Sequence, residues 1–149
     1  MCFYVKLEMI TGTRTTFALD KVVGDVGEKL LLPKLRQFFN DTTIVATESK
    51  YGKFCKWDFE GDTGSRFELK TRRNRKNAYP TTLLPIHKVI EGKKQYFIFN
   101  YIDKISYIEY DEELFKTFQK QELIDGRYNF YKEPITHLHI PVNLLSDIQ

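Results

Sequence analysis

Asp58, Glu68 and Lys70, two carboxylates and an ammonium inside WDFEGDTGSRFELK (57–70), are the side chains of this sequence best suited to chemistry. CKWDFE and SRFELK alternate aromatic and charged residues on either side of GDTGS, the pattern of a β-hairpin with a loop of about five residues. With Thr63 at the tip, Asp58 lies opposite Glu68, Glu60 opposite Arg66, Phe59 opposite Phe67 and Trp57 opposite Leu69. That register makes one face apolar and the other charged. Directly opposed Cβ atoms stand about 4.5–5.5 Å apart, and like charges so placed repel. A divalent cation relieves the repulsion, since Mg²⁺ takes one or two carboxylates and completes its shell with water and substrate phosphates. Lys70 follows Glu68 by two, shares its face and brings an ammonium to a water or a phosphate oxygen. If Lys70 and Arg66 instead only pair with the carboxylates on a solvated face, the cluster contributes little.

Other residues could add to this set. Five of the seven residues from Lys70 to Lys76 are basic; Arg72, Arg73, Arg75 and Lys76 leave the hairpin where they suit phosphate contacts and not base reading. Tyr79 can stack on an unpaired base, although most of the aromatic residues belong in a core. Glu28 is an upstream carboxylate, but Asp25-Val-Gly-Glu28 also fits a capping box, in which Glu28 bonds back to the start of a helix. The E-x-K tripeptide recurs at Glu48-Ser49-Lys50 and Glu91-Gly92-Lys93; Glu91 sits in an expected turn, whereas Glu48, on an expected strand, can contribute. Glu60 and Asp62 read as turn and surface residues. His137 and His139 share a face in THLHI, a spacing able to bind metal, yet with no cysteine or carboxylate close by in sequence they read as ordinary sheet histidines, and His87 is uncommitted. Cys2 and Cys55 are too few for a disulfide framework or a structural zinc site and read as free thiols, with Cys55 packed on the Trp57 side.

These residues need a scaffold. At 149 residues, 42% hydrophobic and 15% aromatic, the chain suits one domain, 1–149, with a sizeable core. FYVKLEM (3–9) and TRTTFALD (13–20), with Gly12 as the turn, predict an N-terminal β-hairpin. GDVGEKLLLPKLRQFF (24–39), with Leu31, Leu35 and Phe38 on one side, predicts a helix bent at Pro33. TTIVATESK (42–50) predicts a strand. KKQYFIFNYID (93–103) and KISYIEYD (104–111) predict two more, the first dense enough in apolar residues to be central. DEELFKTFQ (111–119) predicts a short helix with an acidic first turn, and THLHIPVNLLSDI a short strand and a final helical turn around Pro141. No repeat or low-complexity segment divides the chain. No run approaches the ~20 apolar residues of a membrane span, and MCFYVKLEMI lacks the order of a signal peptide. The expectation is an intracellular protein, cytoplasmic or nuclear, with no membrane partner. A net charge of +3 is mild, so the distribution of charge carries more information than its sum.

Asp58 followed by Glu68-Leu69-Lys70 on a hairpin, with Glu28 on a helix upstream, resembles the D…(D/E)xK signature of the restriction-endonuclease-like, or PD-(D/E)xK, nuclease superfamily. The likeness covers residues 24–72 in the order helix, strand, hairpin. The longer string ELKTR, followed by YPTTLL and HK, is similar to small nuclease-like proteins of phages and large DNA viruses, which would make the location a host cell. Two features depart from the family: no proline precedes Asp58, and Pro80 and Pro85 follow the hairpin where the family places a helix. The resemblance implies an α/β, mixed α+β fold with a restriction-endonuclease-like core, a central mixed β-sheet flanked by helices, here with an N-terminal β-hairpin. It implies a Mg²⁺-dependent endonuclease, with Mn²⁺ able to substitute, acting on nucleic acid, DNA in preference to RNA. Asp58, Glu68 and Glu28 would be the metal ligands. Lys70 would position the water or the phosphate, and Arg72, Arg73, Arg75 and Lys76 would hold the backbone. Cutting a duplex with one small subunit favours a homodimer, because each site hydrolyses one strand. The competing reading is a non-catalytic nucleic-acid-binding module that grips phosphate with the basic run 70–76. Salt-sensitive binding is common to both readings, so divalent-metal dependence separates them. A third is an interaction domain that keeps the nuclease fold without activity.

Overall fold

Leu31 and Leu35, four residues apart and both buried, give the first helix the apolar stripe of an amphipathic element. This helix, α1, spans Thr13–Phe38 and continues through Pro33, whose missing N–H removes one i→i−4 bond. The computed structural model describes residues 13–52, 55–124 and 133–149. FYVKLEM therefore lies outside the described residues, and TRTTFALD, expected as a strand, is helical. Lengthening an existing helix costs much less than nucleating a new one, so the strong helical pattern of 24–38 overrides a short, Thr-rich alternation. The predicted N-terminal hairpin is thus not formed by residues 13–20.

The strand expected over 42–50 is also shorter than its β-branched composition suggests. Only Val45–Ala46 (β1) is extended, and Thr47–Tyr51 turns into a short helix, α2. Buried Thr47 makes the corner: its N–H donates to the Asp58 carbonyl at 2.9 Å, and its hydroxyl reaches the carbonyls of Trp57 and Asp58.

The hairpin follows as β2 (Phe59–Glu60) and β3 (Arg66–Thr71). Its register pairs Phe59 with Phe67 and Glu60 with Arg66, as predicted. The ladder stops at Phe59, so the expected cross-strand pairs Asp58–Glu68 and Trp57–Leu69 do not form. The Asp58 N–H instead donates to the Phe67 carbonyl at 2.9 Å, and its side chain accepts from the Leu69 N–H at 2.7 Å.

Six strands make the larger sheet, in the order β1-β2-β3-β5-β6-β9, with β5 at Gln95–Asn100, β6 at Ile105–Glu109 and β9 at Ser146–Ile148. β3 and β5 are parallel and the other pairs antiparallel, so the sheet is mixed. Parallel neighbours need a long crossover. Here it runs through β4 (Thr81–Pro85), a strand of a second, antiparallel sheet of order β4-β8-β7, with β7 at Gln119–Leu123 and β8 at Ile135–Pro141.

β5 is buried on both faces, as its apolar density predicts. Tyr96 and Ile98 join Leu31, Leu35 and Phe67 on the α1 side, whereas Phe97 and Phe99 pack with Leu84, Leu138 and Ile140 of the second sheet. The mixed α+β class is as expected, but the helical cover is one-sided: α1 lies on one face and a sheet lies on the other. The short helix α3 (Glu112–Phe115), predicted from its acidic first turn, is capped by Asp111, whose carboxylate accepts from the Leu114 N–H at 3.0 Å. After β8 the 3-10 turn Val142–Leu144 agrees with the expected helical turn at Pro141; β9 was not foreseen.

Candidate active site

Glu68 and Lys70 alternate along β3 on the face that meets the second sheet, beside Phe97 and Phe99 of β5. The Glu68 side chain is almost wholly buried, and its Oε1 lies 3.1 Å from the Lys70 Nζ and 3.1 Å from the Lys88 Nζ. Its Oε2 is buried with no hydrogen-bond partner among the described residues. An orphaned carboxylate oxygen in a protein interior is costly unless a cation or donor reaches it.

Asp58 comes to this group because β2 ends early. The odd-numbered residues of β3 turn their amides to the β2 side, and past Phe59 there is no strand to accept them. The Asp58 carboxylate takes that role for Leu69, while Thr47 holds the Asp58 carbonyl from behind. Burial first, and then the nearby Glu68 charge, push the Asp58 carboxyl up to about 6 from its ordinary 3.8.

Glu28 approaches from α1. The helix crosses the ends of β3 and β5 at Gly27, where an added Cβ would stand 3.2 Å from Thr71 Oγ1 and 3.4 Å from Asn100 Nδ2. The absence of a side chain there lets the helix lie close. Burial raises the Glu28 carboxyl to about 7 from 4.5, with further contributions from Asp58, Asp25, Glu48 and Glu68 in that order. Glu48, now on α2, is therefore part of the same negative region.

Lys88 is the residue that pattern reading missed. It belongs to a 3-10 turn, Ile86–Lys88, between β4 and β5. Buried Gln95 fixes that turn: its Nε2 donates to the Lys88 carbonyl at 2.8 Å, and its Oε1 accepts from the Ile90 N–H at 2.9 Å. Nothing local in HKV marks this lysine as a partner of Glu68, because the contact is made across the β4 crossover. His87 stands beside it, its pKa lowered by burial and by the Lys88 and Lys70 charges.

The basic run divides. Arg72 points into the fold, donating from Nε to Thr82 Oγ1 at 3.2 Å and from Nη2 to the Leu83 carbonyl. Lys76 pairs with Asp147 at 2.5 Å, tying the crossover to β9. Arg73 and Arg75 are exposed, as is Tyr79. Glu60 is more than a turn residue, since it collects Lys50 at 2.9 Å, the Tyr51 hydroxyl at 2.6 Å and the Trp57 indole N–H at 3.1 Å. His139 is held at both ring nitrogens, by Thr81 Oγ1 at 3.0 Å and Gln121 Oε1 at 2.7 Å, while Nδ1 of His137 meets the Ile135 carbonyl at 2.8 Å. These contacts fit ordinary sheet histidines. Glu91 lies in a turn, as expected, and Cys55 is a free, half-buried thiol.

Among the described residues no three His, Cys, Asp or Glu side chains converge closely enough to hold a metal ion as they stand. The donor set that does exist, Asp58 and Glu68 with an unsatisfied buried oxygen, fits the one or two carboxylates that Mg²⁺ takes from protein. Comparison with protein-family profiles, with characterised proteins and with solved structures gives no match.

Proposed function

We propose that this protein is a divalent-metal-dependent nuclease with a restriction-endonuclease-like core, hydrolysing phosphodiester bonds of DNA. The observation that carries the reading is Glu68: a buried carboxylate with two ammoniums on one oxygen and an orphaned second oxygen, beside a second carboxylate, Asp58, whose pKa is raised by burial and then by the Glu68 charge. Asp58 and Glu68 would hold Mg²⁺, and Glu28 on α1, the third ligand that the resemblance implies, adds negative charge to the site without converging on them as a third ligand. When bound, the ion supplies positive charge to phosphoryl oxygens as the transition state builds negative charge there.

The chain's own residues divide the remaining work. Lys70, 23% exposed at its side chain, can turn its ammonium to a phosphate oxygen or orient the attacking water. Lys88, 27% exposed, still pairs with Glu68 when Lys70 turns away, which keeps the carboxylate in position. Exposed Arg73 and Arg75 would contact the backbone and set salt dependence. The binding-only alternative depends on the basic run, and Arg72 and Lys76 already spend their charges on contacts within the fold. If the substrate is duplex, a homodimer supplies the second site.

The test is incubation of labelled duplex, branched and single-stranded DNA, and of RNA, with Mg²⁺, Mn²⁺ or EDTA. Metal-dependent cleavage that falls by about 10²-fold or more in Glu68→Ala and Lys70→Ala is the expected result. Absence of cleavage by the wild type on every substrate, or cleavage unaffected by both substitutions, would overturn the reading.

A further inference from the structure

α1 carries a second apolar stripe. Leu31 and Leu35 face the core, but Val22, Val26 and Leu30 are 40%, 40% and 69% exposed. At ~100° per residue, these three fall within ~80° of one another, and Leu35 stands opposite Val26 across the helix. Half-buried Leu19 and exposed Pro33 extend the stripe at its two ends. The resulting steps of three and four residues are those of a helix–helix seam. Val22, Val26 and Leu30 belong to neither hydrophobic cluster, and none packs against one, among the described residues. A surface helix keeps the face away from its core polar, and exposed apolar residues that run together mark a contact site.

Charge identifies what covers the stripe. Asp25 and Lys29, both exposed, border it on the same flank, at ~100° and ~60° from Val26, and neither is ion-paired among the described residues. Two copies packed antiparallel, about a two-fold axis through Val26, set like flanks face to face and reverse the order of residues along them. Val22 then meets the partner's Leu30, and Val26 meets its own counterpart. Asp25 comes within two residues of register, ~3 Å of helix rise, of the partner's Lys29. That ion pair is made twice, as an isologous interface requires. A parallel pair brings opposite flanks together and makes neither.

We propose that α1 is a homodimer interface, an antiparallel helix pair centred on Val26 in which Asp25 of each copy pairs with the partner's Lys29. Glu28, at ~200° from Val26, points to the other side of the helix. The dimer therefore leaves the carboxylate group uncovered at that residue and stands whether or not a nucleic acid is cut. One helix is a narrow interface beside the ~800 Å² per partner of a standard complex, so the expected Kd is micromolar.

Sedimentation equilibrium of the full chain, under reducing conditions from ~1 to ~200 µM, reads the association without reference to cleavage. A reversible monomer–dimer equilibrium is expected. Val26→Asp puts two carboxylates on the axis and should weaken the dimer by at least about tenfold. Because the position is 40% exposed, its Tm should stay that of the wild type, which separates lost association from lost fold. Asp25→Lys and Lys29→Asp should each weaken the dimer several-fold, and the two together should return the Kd to within about threefold of the wild type. A chain that stays monomeric across the range leaves the stripe to a different occupant and overturns the proposal. So does a dimer that Val26→Asp leaves intact, or one in which the exchanged pair fails to restore what each single change removed.

Discussion

Burial raises the Glu28 carboxyl to about 7, with Asp58 the next contributor, and raises the Asp58 carboxyl to about 6, with Glu68 the next contributor. The sign of their effect on stability follows directly. Well below pH 4 the folded and unfolded chains both hold these protons. As pH rises, the unfolded chain releases them near 4.5 and 3.8 while the folded chain keeps them until about 7 and about 6, so stability is lost across that window. Asp147 acts oppositely. Hydrogen bonds from Lys76 and Ser106 lower its carboxyl to about 2 from 3.8, a contribution present above 3.8 and lost as pH falls through about 2. Urea midpoints measured from pH 3 to pH 8 should therefore peak near about pH 4–5 and decline toward pH 8. Glu28→Gln should flatten the decline between pH 5 and pH 8; parallel curves for the two proteins would refute the assignment of Glu28 to the negative region.

At the scale of elements, the site depends on backbone carbonyls and amides that two buried polar side chains hold still. Thr47 fixes the end of the 57–58 segment, and Gln95 fixes the turn that carries Lys88. Gln95→Leu would leave the Lys88 carbonyl and the Ile90 amide without their partner. At about 1–3 kcal/mol for each unsatisfied buried group, the expected loss is about 2–4 kcal/mol in chemical denaturation. The Ile90 amide should also lose its hydrogen-exchange protection ahead of the β5 amides. Retention of full Ile90 protection in the variant would show that the turn is held by something else. The hairpin itself is less sensitive, because Phe59 and Phe67 are both buried on the α1 side and pin the register.

On the scale of the whole molecule, β5 is the element that both cores share, and β9 returns from the second sheet to the edge of the first. Lys76–Asp147 crosses between the β3–β4 connection and that last strand. A chain closed in this way should unfold as one unit. Far-UV circular dichroism and Trp57 fluorescence are expected to give coincident transitions in urea, and Phe97→Ala, emptying a fully buried site, should shift both by about 3–5 kcal/mol. Separate transitions for the two probes would contradict this.

Local pattern was enough for the elements whose residues are their own partners in sequence. The β2–β3 register followed from alternation about a tight loop, β5 and β6 from two successive strand-like runs of which the first is dense in apolar residues, and α3 from its acidic first turn. The carboxylate–lysine set on β3 was likewise readable, because a period of two puts Glu68 and Lys70 on one face. Readings that weighed a short local preference against a distant partner came out differently. Residues 13–20 joined α1 because helix propagation outweighs a weak alternation, and 47–51 left the strand because Thr47 found the carbonyls of residues 57 and 58. Pairing across the β4 crossover is what brought Lys88 to Glu68, and the approach of the two sheets is what turned Arg72 inward to Thr82 and the Leu83 carbonyl. Both depend on contacts between residues far apart in the chain, and no spacing along the sequence encodes the distance between two faces that meet only when the core has formed.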